Sequence, residues 1–347
     1  MKKVTVIGHF GTETSSSDGQ TIKTKTIAKA LEKKYGTGDV IKVDTHGGLR
    51  TLIKAYQIVK TAFQNSENVI ILPAENGLMV FAPLCAIQKQ KHSSVKLHYV
   101  VVGGWLPKFI QKHKSLEVPL KQFDGIYVET STMKISLERM GFTNTVVMPN
   151  CKDLTILSEE DLVYSTGEPL KLCTFSRVMR EKGIEDAINA VTIINRNYGR
   201  TVYTLDIYGQ IDPNQKDWFE KLEKSFPPYI QYQGVISYDN STNILKEYYL
   251  LLFPTYYEGE GFAGTIIDAM SAGIPVIASN WKYNSEIICD GINGFLCEPC
   301  DVSSVISLLC ELIDTEKANI MKREIIKSAQ RFQPEKALEV LIQRMED

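Results

Sequence analysis

The sequence predicts an α/β protein: two doubly wound Rossmann-like domains facing a cleft. Three observations predict it. The chain has 347 residues, too many for one ordinary hydrophobic core, since domains run to about 100–200 residues. Short β-rich runs alternate with amphipathic stretches along the whole length, as βαβ units and parallel sheets require. The alternation stops and restarts once, across a polar stretch that ends near residue 167.

The first strand is predicted at 3–10. Lys2 and Lys3 precede Val4, Val6 and Ile7, but the apolar run meets Gly8 and His9 too soon for a signal peptide. A helix follows at 21–34, with Ile22, Ile27, Ala30 and Leu31 at helical spacing and Lys25, Lys29 and Lys33 as a basic stripe at intervals of four. Buried strands are predicted at 40–43, 69–73, 97–102, 125–128 and 145–148, with helices at 49–63 and 78–90 among them. After the polar linker, strands are predicted at 170–175, 204–208, 230–234, 250–254 and 274–278. The division is therefore 1–152, an N-terminal Rossmann-like domain; 153–330, a C-terminal domain; and 331–347, a terminal helical segment expected to pack back on the first domain. In doubly wound sheets ligands bind beyond the carboxyl ends of the strands, so chemistry is expected on the strand-to-helix loops.

Composition narrows the function classes. Hydrophobic residues at 44% and charged residues at 23% describe a foldable chain without a disordered or low-complexity tract. The longest apolar runs fall far short of the ~20 residues of a membrane helix. Seven cysteines without regular spacing fit a reducing cytoplasm better than a disulfide framework. Cys297 and Cys300 have the spacing of half a zinc or redox motif, with no second pair to complete it. The net charge of −2 hides an asymmetry: residues 1–150 hold 20 Lys and Arg against 11 Asp and Glu, and residues 151–347 hold 19 against 30. The basic half is suited to an anionic acceptor or a lipid headgroup layer, or to solvated helix faces. No nucleic-acid partner is expected.

The most informative stretch runs from Tyr256-Tyr257-Glu258-Gly259-Glu260-Gly261-Phe262-Ala263-Gly264 through Asp268 to Ser279. It reads as a glycine-rich loop, a helix and a strand. The glycines let backbone approach a ligand, and the helix opening near Gly264 turns unpaired N–H groups toward an anion. Glu260 and Asp268 flank that helix start, each able to accept sugar hydroxyl hydrogens. A second loop, Phe175-Ser176-Arg177 to Lys182-Gly183, supplies two cations, a bidentate guanidinium and a point charge, suited to a diphosphate.

With these elements in place the sequence resembles family 4 of the retaining glycosyltransferases, also called group 1, which have the GT-B fold. The resemblance covers nearly the whole chain and includes Leu205-Asp206-Ile207-Tyr208-Gly209 and Asn293-Gly294-Phe295-Leu296-Cys297-Glu298-Pro299, in the family's order. It implies that Arg177 and Lys182 bind the donor diphosphate, beside Ser176. It also implies that Glu260 touches the sugar hydroxyls, that Asp268 touches the ribose, and that the amides of Gly261, Phe262, Ala263 and Gly264 hold phosphate. The implied activity is transfer of a sugar from a UDP- or GDP-linked donor to a glycan or lipid-linked acceptor in surface-polysaccharide synthesis, with retention and without a metal or other cofactor.

Two departures stand out. Asp268 is shorter than the family's usual Glu. The region after the fourth N-terminal strand reads Val102-Gly103-Gly104-Trp105, where many members have a donor-contacting His. Glu75 and Asn76, at a strand end, are the candidate substitutes, and Gly8, His9, Gly11 and Asp18 border the same acceptor side. Trp105, Leu106, Phe109 and Ile110 interleave with Lys108, Lys112 and Lys114, which reads equally as a surface for an anionic membrane or as a packed helix. The alternatives are a nucleotide-sugar 2-epimerase of the same fold and a non-catalytic partner subunit of a transferase.

Overall fold

A computed structural model describes residues 1–11, 19–45, 49–237 and 240–347, with 49–53 described by backbone alone. The chain forms two compact units, Met1–Lys152 with Phe332–Asp347, and Asp153–Arg331. Asp18 lies outside the described residues.

The N-terminal unit holds β1 (Lys2–Gly8), β2 (Val40–Asp44), β3 (Ser66–Ile71), β4 (Lys96–Val100), β5 (Gly125–Val128) and β6 (Thr145–Val147) in one sheet, ordered β2-β1-β3-β4-β5-β6. Every pairing is parallel. The direction in which successive strands are added to the sheet reverses between β1 and β3, which makes their carboxyl ends the sheet's switch point. Val4, Val6, Ile70, Leu72, Val100 and Tyr127 form the sheet's share of the core. Ile27 and Leu31 of the helix Gly19–Tyr35 meet them, with Leu338, Leu341 and Met345 from the C-terminal segment. That segment is also tied by Lys33 to Glu335 at 2.6 Å and Lys34 to Glu346 at 3.1 Å.

One charged side chain of the first helix departs from the polar-out pattern. Lys23 is buried and forms an ion pair with Glu129, which follows β5; each side chain is 2% exposed. The Lys23 ammonium also donates to the Val101 carbonyl at 3.0 Å, and the Gly103 N–H donates to Glu129 Oε2 at 3.3 Å. The pair therefore clamps the loop after β4 from both sides. His98, on β4, does not stand in for the absent loop histidine: it is buried between Tyr127 and Asn68, and burial pulls its pKa down to about 4.

The C-terminal unit holds β7 (Leu170–Phe175), β8 (Tyr203–Tyr208), β9 (Ile230–Gly234), β10 (Leu250–Phe253), β11 (Val276–Ser279) and β12 (Phe295–Cys297), ordered β12-β11-β10-β7-β8-β9. Here too all pairs are parallel, and the reversal falls between β7 and β10. The three-residue β12 is absent from the sequence prediction, and β11 starts at Val276 rather than 274. The polar linker is stitched to this unit. Leu157 N–H donates to the Ser271 carbonyl at 3.0 Å, Asn319 brackets Ser165, and Leu162 lies where a Cβ on Gly273 would stand.

Lys322 is buried below the C-terminus of the helix Gly264–Ser271, where its ammonium reaches the Gly273 carbonyl at 3.4 Å and no other acceptor among the described residues. Burial pulls its pKa down to about 8 from 10.5. Between those values the unfolded chain holds a proton that the folded chain has released, so stability rises with pH across that window and the full penalty applies below it. Lys322→Met is expected to stabilise the protein at pH 7 by on the order of 2 kcal/mol, with the gain shrinking from pH 8 to 10. Urea unfolding at three pH values checks this; a pH-independent gain would contradict it.

Candidate functional site

The loops that leave β7 and β10 lie side by side at the switch point of the C-terminal unit. Two glycines fix them. Gly183 adopts φ +72°, and a Cβ there would stand 2.2 Å from the Pro254 carbonyl oxygen. Gly209 adopts φ +139°, and a Cβ there would stand 1.7 Å from the Ser176 carbonyl oxygen. Both positions demand glycine for conformation and for space. Val178 pairs with Ile211 as an isolated parallel bridge, which extends the β7 loop along the loop after β8.

This framework brings Lys182 to Glu260. The ammonium donates to Glu260 Oε2 at 2.6 Å, with side-chain exposures of 12% and 9%. Thr255, fully buried, donates its hydroxyl to the same oxygen at 2.9 Å and accepts the Tyr257 N–H at 3.2 Å. Lys182 Nζ lies 4.9 Å from the Tyr257 ring centre and 5.4 Å from that of Phe253, inside the cation–π range. Further bonds hold the loop: Ser279 donates to the Thr255 carbonyl, Trp281 Nε1 to the Tyr257 carbonyl at 2.8 Å, and Lys282 pairs with Glu258 at 2.6 Å.

Both charged groups keep unused capacity. Two of the three Lys182 protons meet no hydrogen-bond acceptor among the described residues, and Glu260 Oε1 meets no donor there. Next to them the helix Gly264–Ser271 starts without a side-chain cap at Ala263. Gly261, Phe262, Ala263 and Gly264 lead into that first turn, and Thr265 anchors it to the β7 loop by donating to the Phe175 carbonyl. A nearly buried cation, a carboxylate with one open oxygen and a helix N-terminus together suit an anion joined to a hydroxyl-bearing group.

The other named residues fall differently. Arg177 is 53% exposed and lies 3.7 Å from Asp212, on the loop after β8, not against Lys182 or Glu260. Ser176 donates its hydroxyl to the Arg177 carbonyl at 3.3 Å. Asp268 is buried inside its helix and accepts from Ser241 Oγ at 2.8 Å. In the N-terminal unit Gly8 and His9 end β1, and Glu75 and Asn76 open the helix Glu75–Lys91 after β3, so both groups flank that sheet's switch point. Glu75 is a first-turn helix residue rather than a loop carboxylate. Asp44 ties the first loop by accepting the Phe10 N–H at 2.9 Å, just before Gly11. Gly104 follows the clamped Gly103. Trp105, Phe109 and His113 stack along one face of the helix Leu106–Lys112, with ring centres 5.3 and 4.3 Å apart, while Leu106, Pro107 and Ile110 are buried beneath and Lys108, Lys112 and Lys114 are exposed.

Thr255, Tyr257, Ser241 and Trp281 escaped the sequence reading. Thr255 follows a strand directly, so the strand-end rule points to it; Trp281 and Ser241 are brought in from distant loops and carry no local signal.

These loops gather at the switch point of a doubly wound sheet, inside the stretch that comparison with known proteins matches to a family. Residues 164–327 match the family described as glycosyl transferases group 1, a stretch that includes Lys182, Glu260 and every loop between them. The chain is 28% identical over 289 residues to the GtfA subunit of UDP-N-acetylglucosamine–peptide N-acetylglucosaminyltransferase of Streptococcus gordonii, covering 80% of this chain and 54% of that protein. It is 26% identical over 152 residues to glycogen synthase of Mycobacterium tuberculosis, covering 43% and 35% respectively. The chain thus spans about half the length, or less, of these curated relatives. Among solved structures it is similar to Anabaena HepE in complex with UDP, with a TM-score of 0.74 and 16% identity over all of both chains. Sucrose-phosphate synthase of Thermosynechococcus elongatus gives 0.76 and 15% over 99% and 98%. The chain has the GT-B fold, and residues 164–327, just under half of it, are similar to the group 1 glycosyl transferases.

Proposed function

We propose that this chain is a retaining glycosyltransferase that moves a sugar from a UDP-sugar to a hydroxyl of a growing glycan or lipid-linked acceptor in the synthesis of capsule, lipopolysaccharide or another surface polysaccharide. The observation that carries the reading is the Lys182–Glu260 pair, nine-tenths buried, with open valences on both groups beside an uncapped helix start. UDP as the nucleotide is supported by the UDP-bound HepE structures and by the UDP-sugar named for the GtfA relatives. In this reading Lys182, Arg177 and the amides from Gly261 to Gly264 take the charge that builds on the diphosphate as its bond to the sugar breaks, so no metal is called on for that task. The acceptor oxygen bonds to the anomeric carbon from the face the phosphate leaves, and its proton passes to the leaving phosphate oxygen. Glu260 holds sugar hydroxyls, Asp268 the ribose, and Gly8, His9, Gly11, Glu75, Asn76 and Gly104 border the acceptor.

Thermal unfolding with UDP, GDP and their sugars tests the donor. UDP-sugars are expected to raise Tm by several degrees, as tight binding to the native state requires; no shift with any nucleotide diphosphate would end the proposal.

Among the described residues no helix is long and apolar enough to cross a membrane. The aromatic ladder Trp105–Phe109–His113 with its lysines instead supports peripheral contact with an anionic membrane, which brings the enzyme to a lipid-linked acceptor. Flotation with vesicles rich in anionic lipid is expected to carry the protein. Trp105→Ala with Phe109→Ala is expected to abolish it; equal flotation of neutral vesicles would refute the contact.

A further inference from the structure

We infer that Glu260 competes with a nucleoside diphosphate for Lys182, so that the carboxylate assigned to the sugar also discriminates intact donor from spent nucleotide. The inference rests on the donor-site reading above. In the chain without ligand, Glu260 is the one hydrogen-bond acceptor that Lys182 has among the described residues, at 2.6 Å, and the rings of Phe253 and Tyr257 confine the ammonium beside it. The pair is too buried to be weakened much by solvent or salt. A diphosphate entering at the start of the helix Gly264–Ser271 attracts the same ammonium through its two open protons, and movement of the ammonium toward the phosphate weakens its 2.6 Å contact with Glu260.

What Glu260 receives in exchange depends on the ligand. An intact donor brings sugar hydroxyls, whose O–H groups replace the lost ammonium bond. A free diphosphate brings none. Glu260 is then left nine-tenths buried with Thr255 as its hydrogen-bond donor and a second anion close by, which is a costly state for a carboxylate. The site therefore holds donor more tightly than product by the worth of that exchange, and recapture of Lys182 by Glu260 drives the spent nucleotide out.

Calorimetric titration of the full chain with UDP and with GDP tests this, and the nucleotide that binds wild type more tightly is carried forward. Glu260→Gln, and Glu260→Ala alongside it, are expected to bind that nucleotide about tenfold tighter than wild type, the worth of one charge-assisted bond. Lys182→Met is expected to bind it at least tenfold weaker. Combining Glu260→Gln with Lys182→Met is expected to give no gain over Lys182→Met alone. Equal or weaker binding by both Glu260 variants overturns the inference. So does a gain that persists with Met at 182, since that is plain repulsion between carboxylate and phosphate. If Lys182→Met binds as wild type does, the donor-site reading itself fails; if it weakens binding while the Glu260 variants do not tighten it, only the competition falls.

Discussion

Lys182→Met is expected to lower kcat for glycosyl transfer by about a thousandfold, the scale seen when a preorganised donor to a developing oxyanion is removed. The Lys182 ammonium lies 5.4 Å from the Phe253 ring centre and 4.9 Å from that of Tyr257, and methionine puts an apolar group beside those rings while deleting the charge. Little else nearby compensates. Arg177 sits on the same loop but is half-exposed and already beside Asp212, where a charge is worth much less than in a shielded pocket. Arg177→Met should therefore cost clearly less than Lys182→Met. Steady-state rates at saturating donor and acceptor make the comparison, with circular dichroism to confirm the fold. Retention of more than a tenth of wild-type kcat by Lys182→Met would remove this residue from the leaving-group role.

The second large effect is on stability. Lys23→Met is expected to destabilise the N-terminal unit by about 3–5 kcal/mol, because Glu129 is left charged and buried without its counter-ion. Deleting both charges, with Lys23→Met and Glu129→Leu together, is expected to restore most of that loss, since a buried pair gains little over well-packed apolar groups. Hydrogen exchange at the β4 and β5 amides reads the change locally. A single variant as stable as wild type would mean that the pair contributes nothing to the fold.

The sheets were largely legible in the sequence because parallel strands are buried on both faces and read as short continuous apolar runs. Such runs as Leu170–Phe175 and Gly125–Val128 coincide with the observed strands, whereas Phe295–Cys297, three residues long, has too little pattern to separate from a loop. The site was legible where chemistry is local: Arg177 to Lys182 and Glu260 to Gly264 each sit on one strand-to-helix loop. It was illegible where the fold supplies partners from afar. Lys23 stands two positions out of register with the basic stripe of Lys25, Lys29 and Lys33, so it lies on the inward side of the same helix, but its partner Glu129 is 106 positions away in sequence. Asp268 faces Ser241, and the polar linker proves to be packed because Leu157, Leu162 and Ser165 find partners on the later helices.

The C-terminal residues that complete the first unit also set an order of events during synthesis. Leu338, Leu341 and Met345 are made after the second unit but fill space beside strands made before it. On the ribosome the earlier unit keeps an apolar gap until residues 338–345 emerge, while the later unit, contiguous from Asp153 to Arg331, has all its own parts before then. During that interval the earlier unit is the one more exposed to aggregation and to chaperones.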